Sequence, residues 1–426
     1  MKTIVDNPNI DYSEVLKRPV ENDIEIKDKV REIIEMVKNQ GDDALKAMTK
    51  KYDGVDVESF EINKQTIAES EKLVDAKLKK SITVAARNIE LFHSAQKPNA
   101  VNVETMPGVK CKLIYRPLER VGLYIPSGTA SLISTVLMLG IPAKVTGCRE
   151  LIVCTPPPVN PAILYACGLV NARVFTIGGA QAIAAMAFGT QSVPRVDKIF
   201  GPGNSYVTEA KMQVSAMGIL IDIPAGPSEL LVIADDSAIP EFIAADLLSQ
   251  AEHGADSQVV LISTSSTVIT RTIDEINNQV IALPRKEIAL RALENSWAIK
   301  VDTLERAIAI SNLYAPEHLI LSVKEPETFE SNIENAGSVF IGNYTPESAG
   351  DYASGTNHTL PTSGFARSWS GVNLLSFTKT ITIQELSPKG LNLLGNDIIE
   401  LANAEKLAAH ANAVQVRLTK IKKENL

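Results

Sequence analysis

Short apolar runs alternate with helix-like segments over most of the chain after Cys111, and this alternation limits the fold more than any other feature. A first set of runs comprises VGLYIP, ELIVCTPP, ARVFTIGG and DKIFGPG, each followed by apolar residues at helical spacing. A second set comprises ELLVIADD, SQVVLIST, WAIKVDT, HLILSV and SVFIGN. Repeated strand–helix units are typical of parallel sheets. We therefore expect an α/β protein with two Rossmann-like parallel-sheet domains.

The segments outside this alternation are predicted to be helical or to form a tail. The first hundred residues carry apolar side chains at spacings of three and four, as in IKDKVREIIEMVKNQ, which predicts a helical N-terminal region. The stretch Ala225–Ser228 separates the two sets of apolar runs and is a candidate boundary. A strand and helices from Thr378 onward form a tail, with Pro388 and Gly390 as breaks.

Composition and charge exclude several classes of protein. The 426 residues are 45% hydrophobic and 22% charged, which is ordinary for globular domains and not for a disordered chain. The net charge of −8 gives no reason to expect binding to nucleic acid or to a membrane surface. The four cysteines form no CxxC pair, and the start of the chain has no apolar signal core. We expect a cytoplasmic protein.

Two of the five histidines stand beside side chains that suit metal binding or acid–base chemistry. DLLSQAEHG predicts a helix over roughly Glu241–His253, which places Gln250 and His253 three residues apart on one face. Such a pair suits a shared cation, but on this evidence alone a polar solvent-facing stripe is the simpler explanation. Glu317 and His318 lie at the start of a predicted strand and suit an acid–base pair, or are two ordinary loop residues.

Two further histidines lie later in the C-terminal half of the chain. The irregular segment from Gly342 to Gly364 is rich in Gly, Ser, Thr and Pro, which favours a working loop over a spacer, with Asp351 and His358 as candidate ligands. Glu405 and His410 are five residues apart, so they share no face of a straight helix. Their joint use in a site would require a bend or different partners, and an exposed helix is the simpler interpretation.

Glycine loops provide a second kind of signal. No complete GxGxxG fingerprint is present, but IGGAQ and FGPGNS each stand where a strand should lead into a helix. Backbone amides at such a position favour phosphate binding, although glycine also serves ordinary tight turns. Cys154 ends a predicted strand, where a nucleophile can lie, but a small buried hydrophobic residue is the better interpretation.

Several long motifs together resemble the histidinol dehydrogenase family. They occur in one order between about Val121 and Val414: RVGLYIP, IGGAQAIAAMAFGT, VDKIFGPGNSYVTEAK, AGPSELLVIAD, DLLSQAEHG, APEHL, ESAGDYASGTNHTLPT and AEKLAAHANAV. The helical N-terminus also fits that family. The chain departs from the common pattern at Ser127 and Ser131, where the family usually has Gly and Pro.

The resemblance implies NAD-dependent oxidation of L-histidinol through histidinal to L-histidine. It implies a zinc or manganese ion on Gln250, His253, Asp351 and His410, and it makes Glu317 and His318 the catalytic pair. Substrate contacts are implied for the metal ligands, for the catalytic pair and for Ser228, His358 and Glu405. Contacts with NAD are implied for Tyr124, Gln181 and Asn204.

The resemblance also implies a division of the chain and a partner. Residues 1–20 form an N-terminal arm, residues 21–118 and 229–377 the first α/β domain with the metal and catalytic residues, and residues 119–228 the second domain on the NAD side. Residues 378–426 form a small C-terminal tail domain that is swapped in a homodimer, so that His410 completes the partner's metal site.

Three alternatives remain open at this stage. An enzyme like the aldehyde dehydrogenases would use Cys148 or Cys154 as a nucleophile. A zinc hydrolase would use the same ligands without NAD, and a binding protein with two α/β lobes would not need the pair Glu317 and His318. A donor set of imidazole, carboxylate and amide oxygen without thiolate suits zinc or manganese, and acidic residues suit a cationic substrate.

Overall fold

The computed structural model describes residues 1–19, 24–127, 131–223 and 226–424. The chain forms two compact units, Met1–Gln96 with Leu118–Phe377 and Lys97–Pro117 with Thr378–Leu426. The expected boundary between residues 20 and 21 lies outside the described residues, as does part of the boundary expected at Ala225–Ser228.

The strands are, in chain order, β1 (Lys2–Val5), β2 (Glu61–Ile62), β3 (Val101–Met106), β4 (Val109–Pro117), β5 (Arg120–Tyr124), β6 (Glu150–Thr155), β7 (Arg173–Thr176), β8 (Lys198–Phe200), β9 (Leu220–Ile221), β10 (Glu229–Ala234), β11 (Gln258–Ser263), β12 (Trp297–Lys300), β13 (His318–Ser322), β14 (Ser338–Ile341) and β15 (Thr378–Leu386).

The α-helices are α1 (Tyr12–Val15), α2 (Ile24–Gln40), α3 (Asp42–Asp53), α4 (Lys64–Glu69), α5 (Ala76–Ser94), α6 (Ile133–Thr146), α7 (Pro161–Leu169), α8 (Gly179–Phe188), α9 (Ser205–Ala216), α10 (Pro240–Ala251), α11 (Ser266–Gln279), α12 (Lys286–Glu294), α13 (Leu304–Tyr314), α14 (Glu347–Tyr352), α15 (Pro388–Ala404) and α16 (Ala408–Glu424). In the described chain none of them is both long and apolar enough to cross a membrane.

The larger unit contains two six-stranded sheets, which confirms the α/β class. Sheet A has the order β1-β12-β11-β10-β13-β14 and is parallel throughout. Sheet B has the order β2-β7-β6-β5-β8-β9 and is parallel except for β2, which runs antiparallel to β7. The central strands β10, β11 and β6 are almost wholly buried because helices cover both faces of each sheet.

The N-terminal segments pack differently from the expected division. β1 lies at the edge of sheet A beside β12, so the arm is part of that sheet. Residues 21–118 were expected to belong with residues 229–377. Instead, Val30 of α2 and Leu45 of α3 share a core with Ala184 of α8, a helix that covers sheet B. In a second core, Ile89 of α5 packs with Leu123 of β5 in the same sheet. Amphipathic helices pack wherever an apolar surface is open, which order along the chain does not reveal.

The smaller unit combines the expected tail with an earlier segment. β15 pairs along its whole length with β4, and β4 pairs with β3, which gives a three-stranded antiparallel sheet. The helices α15 and α16 pack against each other in the same unit. Residues 97–117 therefore belong with 378–424 rather than with either parallel sheet, because the hydrogen bonds of β4 are made with β15 and β3.

A buried ion pair holds the glycine loop that follows β8. Lys211 Nζ lies 2.5 Å from Asp222 Oδ1, and both side chains are almost completely buried. Lys211 Nζ donates to the carbonyl of Gly201 at 2.9 Å, and the amide of Gly201 donates to Asp222 Oδ2 at 2.8 Å. Gly201 has φ of +122°, and a Cβ there would collide with the carbonyl oxygen of Tyr124. The loop is thus fixed from both sides and has no room for a side chain.

We predict that Gly201→Ala lowers the stability of the protein more than Gly218→Ala does. Both positions have positive φ, but a Cβ at Gly218 meets nothing within 4 Å. Backbone strain should cost about 1–2 kcal/mol at either site, and overpacking against Tyr124 should add about 1–3 kcal/mol at Gly201 alone. The measurement is the midpoint of urea unfolding for the two variants. Equal losses would show that the loop has room for the methyl group.

Candidate active site

Glu317 and His318 lie where β13 begins, and the backbone of the neighbouring strand holds both side chains. The amide of Glu229 donates to Glu317 Oε2 at 2.9 Å, and the carbonyl of Glu229 accepts from His318 Nδ1 at 3.1 Å. Both side chains are buried. The Glu229 side chain is itself paired with Arg18 and accepts from the amide of Ser363 at 2.7 Å. The predicted pair therefore has a fixed geometry.

Three carboxyl groups surround the imidazole of His318. Glu317 Oε2 is 3.6 Å from Nδ1, while Glu347 Oε1 and Asp351 Oδ1 are 3.7 and 3.8 Å from Nε2. Burial opposes a charge on His318, but the neighbouring carboxylates outweigh it and raise its pKa to about 10. Burial raises the pKa of Glu317 to about 7. Burial also raises the pKa of Glu347 to about 8. A further cation in the cluster would favour the ionised form of all three carboxyl groups.

Gln250 joins this cluster from α10. Its Nε2 donates to Glu347 Oε1 at 2.6 Å, and its Oε1 is buried with no hydrogen-bond partner among the described residues. His318, Glu347 and Asp351 offer ligand atoms within 4.8 Å of one another. An oxygen-rich set with imidazole and without thiolate fits zinc or manganese. Of the implied ligands, the structure therefore brings Gln250 and Asp351 to one place.

His253 lies beyond the helix that was expected to contain it. α10 ends at Ala251, so Gln250 is in its last turn and His253 follows in a turn, its amide donating to the carbonyl of Gln250 at 3.2 Å. His253 interacts electrostatically with Asp351, and it lines a cavity of about 640 Å³ together with Ser228 and Asn204. His253 is thus accessible from a cavity large enough for a small ligand.

The segment from Gly342 to Gly364 is less irregular than expected, because α14 occupies its centre. Glu347 and Asp351 are four residues apart on this short helix and therefore share a face. His358 follows, with Nδ1 at 3.0 Å from the carbonyl of Asp351 and Nε2 at 3.2 Å from the hydroxyl of Thr135. Burial lowers the pKa of His358, which favours a neutral ring. Asp351 therefore lies on a short helix and His358 in the segment that follows it, and their roles as ligands remain predictions.

Glu405 and His410 belong to the smaller unit, where both are exposed. α15 ends at Ala404, α16 begins at Ala408, and Lys406 between them has φ of +60°. The bend that a shared use of the two residues requires is therefore present. The roles of Glu405 and His410 remain predictions.

The three residues implied for NAD line one cavity of about 780 Å³. Tyr124 lies at the end of β5, Gln181 in the first turn of α8, and Asn204 caps α9 by accepting from the amide of Val207 at 3.1 Å. The hydroxyl of Tyr124 accepts from the amide of Gly179 at 2.9 Å. Both glycine loops thus lead from strands of sheet B into helix N-termini, as the sequence predicts. Such termini suit the phosphates of a dinucleotide.

Asp53 is a further residue of this cavity, and no motif in the sequence singles it out. Its Oδ2 atom is buried and has no hydrogen-bond partner among the described residues, and burial raises the pKa of the carboxyl group. A carboxylate is a natural acceptor for ribose hydroxyl groups. Asn204 lines this cavity and also the cavity with His253, so the two cavities adjoin at that residue. The fit of these residues to NAD is therefore good.

Comparison with known proteins decides the family. The family model described as histidinol dehydrogenase matches residues 16–418. The chain belongs to the histidinol dehydrogenase family. A relative named histidinol dehydrogenase from Bacteroides thetaiotaomicron is 52% identical over 96% of this chain and 97% of its own length, and one from Vibrio vulnificus is 51% identical over 96% and 95%. The crystal structure of histidinol dehydrogenase from Elizabethkingia anophelis superposes with a TM-score of 0.97 at 49% identity, covering 99% of both chains.

Membership in the histidinol dehydrogenase family confirms the resemblance and places the chain among oxidoreductases. Sequence reasoning missed Glu347, although its spacing of four from Asp351 in ESAGD was a usable signal. Arg18 and Glu229 were also missed, because they lie 211 residues apart and only the fold pairs them.

We predict that alanine at Cys148 or Cys154 leaves turnover within about tenfold of the parent enzyme, a change of order 1 kcal/mol in the barrier. Burial raises the pKa of Cys148 to about 12, and burial raises that of Cys154 further. A thiol held protonated is a poor nucleophile. The measurement is kcat for each variant beside its urea midpoint, which separates packing from chemistry. A loss of several orders of magnitude in kcat without loss of stability would revive a covalent cysteine mechanism.

Proposed function

We propose that the protein oxidises L-histidinol through histidinal to L-histidine with two molecules of NAD, the last steps of histidine biosynthesis. The observation that carries this proposal is the buried cluster of Glu317, Glu347 and Asp351 around His318. His253, which interacts with Asp351, lines a cavity that shares Asn204 with a second cavity suited to NAD. Histidinol is a cation with an imidazole and an amino group, so it matches the charge of the cluster.

Gln250, His253 and Asp351 would hold a zinc or manganese ion, with His410 as the fourth protein ligand. When bound, the ion would supply a cationic anchor for the two nitrogens of the substrate. The buried oxygen of Gln250 without a partner among the described residues, and the excess of carboxylates, support this assignment. Ser228, His358 and Glu405 would contact the substrate, whose carbon skeleton must remain held between the two oxidations.

His318 would act as the general base. Its Nδ1 is held by the carbonyl of Glu229, and Nε2 has no hydrogen-bond partner among the described residues. The carboxyl groups alone favour the protonated ring, so a bound cation would be needed to favour the neutral ring, whose Nε2 would then accept the alcohol proton. Because three carboxyl groups surround the ring, the imidazolium that forms would be stabilised where it arises. When bound by Tyr124, Gln181 and Asn204, NAD would supply the hydride acceptor for both oxidations.

Glu317 would activate water for the second oxidation. An aldehyde has to be hydrated first, because hydride leaves only from a tetrahedral carbon. Burial raises the pKa of Glu317 to about 7, which suits a group that must take a proton from water near neutral pH. Its Oε2 is held by the amide of Glu229, so its position relative to His318 is fixed.

The experiment that tests the function is removal and return of the metal. Purified protein is treated with a chelator, and NADH absorbance is followed on adding histidinol and NAD. We expect turnover to be lost on chelation and restored by zinc or manganese. The variant His253→Ala should need a higher metal concentration for turnover. It should keep its fold, because a solvent-accessible residue after a helix contributes little to the core. Full turnover by metal-free protein would contradict the proposal.

We predict that the two catalytic residues differ in which oxidation they serve. His318→Ala should impair oxidation of histidinol and of histidinal. Glu317→Gln should impair mainly oxidation of histidinal, since only that step needs activated water. The measurement is kcat with each substrate supplied separately. Equal losses on both substrates for Glu317→Gln would refute this division of roles.

We predict that the C-terminal tail, residues 378–426, is exchanged between the two subunits of a homodimer. Exchange of an identical element between subunits is a low-cost way to form a symmetric dimer. At a limiting concentration of metal, His253→Ala and His410→Ala should each be inactive. In a mixed dimer one site would carry both substitutions, while the other would combine an intact His253 with the partner's intact His410, so activity should return. The measurement uses co-expressed chains with different tags, purified as heterodimers. Heterodimers that stay inactive would exclude the exchange.

A further inference from the structure

In the side-chain amide of Gln250, the nitrogen has a hydrogen-bond partner and the oxygen has none among the described residues. This side chain is buried on the last turn of α10, with 1% of its surface exposed. Its Nε2 donates to Glu347 Oε1 at 2.6 Å and lies 3.4 Å from His318 Nδ1. Its Oε1 has no hydrogen-bond partner among the described residues. A buried acceptor without a partner in a polar cluster is the feature to be explained.

The contact with Glu347 sets which end of the amide points where. The two ends of a glutamine amide have nearly the same shape, so packing alone does not choose between them. Turning the amide over would bring its oxygen against Glu347 Oε1, and two acceptors 2.6 Å apart repel each other. The orientation that leaves the oxygen free is therefore the one that Glu347 imposes.

Glu347 is itself held in place. It is buried with 1% exposure, and its Oε2 lies 2.9 Å from the hydroxyl of Ser249, the residue that precedes Gln250 on α10. It also lies one turn before Asp351 on α14. The same two helix turns thus fix the amide of Gln250 and the carboxylate of Asp351 relative to each other.

We propose that Glu347 is a positioning residue that turns the oxygen of Gln250 toward the metal. This inference rests on the proposed function, because it takes Gln250 to be a ligand through its amide oxygen. Groups that orient a ligand in this way typically contribute about 10–100-fold to metal affinity. Both oxygens of Glu347 already have hydrogen-bond partners, whereas the oxygen of Gln250 has none among the described residues, so the ligand is Gln250 and Glu347 acts through it.

Zinc affinity of the full-length protein, measured by competition with a chromophoric chelator, tests this role without relying on turnover. Glu347→Gln keeps the shape but offers a donor as well as an acceptor, so it no longer imposes one orientation on Gln250. We expect zinc affinity to fall by about tenfold or more. Glu252→Gln is the matched control: it removes the same charge near His253 without a hydrogen bond to Gln250, and it should change affinity by less than about threefold.

A double-substitution cycle separates a positioning role from direct ligation. Gln250→Leu has nearly the same volume and should weaken zinc binding by itself. If Glu347 acts through Gln250, then adding Glu347→Gln to Gln250→Leu changes zinc affinity no further. An independent, multiplicative loss in the double variant would overturn the proposal and make Glu347 a ligand or a general source of charge. A loss in Glu252→Gln as large as that in Glu347→Gln would also overturn it.

The same data distinguish failure of this inference from failure of the proposed function. If the parent protein binds no zinc, or Gln250→Leu binds it as tightly as the parent, then the metal site itself is wrong and the positioning role is excluded with it. If the parent and Gln250→Leu behave as expected and the cycle is additive, only the role of Glu347 is wrong. Near-ultraviolet circular dichroism of each variant checks that the fold is retained.

Discussion

The placement of three carboxyl groups around one buried imidazole is the constraint on which the site depends. Glu317, Glu347 and Asp351 each approach a ring nitrogen of His318 within 3.6–3.8 Å. Buried charges of one sign are unfavourable unless a cation balances them. The cluster therefore favours a further cation, and the proposed metal ion and the proposed cationic substrate would both meet that requirement. Two neighbouring strands and two short helix turns maintain that arrangement.

The two sheets contribute through opposite strand ends. In sheet B the residues proposed for NAD follow the carboxyl ends of β5, β7 and β8, which is where ligands usually bind in parallel sheets. In sheet A, Glu317 and His318 stand at the amino end of β13, and Ser228 precedes β10. The backbone of Glu229 can hold the side chains of both Glu317 and His318 because β10 and β13 are neighbours. Asn204 lines the cavities on both sides.

Much of this arrangement was predictable from sequence, and the remainder depends on long-range packing. The strand–helix alternation predicted both parallel sheets, and motif resemblance selected Gln250, Asp351 and His318, which the structure brings together. Sequence could not place α2, α3 and α5 on sheet B, because an amphipathic helix does not specify its partner. It also could not join β4 to β15, since pairing between strands so far apart in the chain has no local signal. Glu347 was overlooked although its spacing from Asp351 was visible.

The number of NADH molecules formed for each histidine tests the central claim most directly. Purified protein with bound metal receives a limiting amount of histidinol and excess NAD, and the reaction is run to completion. NADH is read by absorbance, while histidine and histidinal are quantified by chromatography. Two NADH for each histidine, with no free histidinal, is the predicted result. One NADH for each histidinol consumed, with histidinal accumulating in solution, would contradict the account and leave a simple alcohol dehydrogenase.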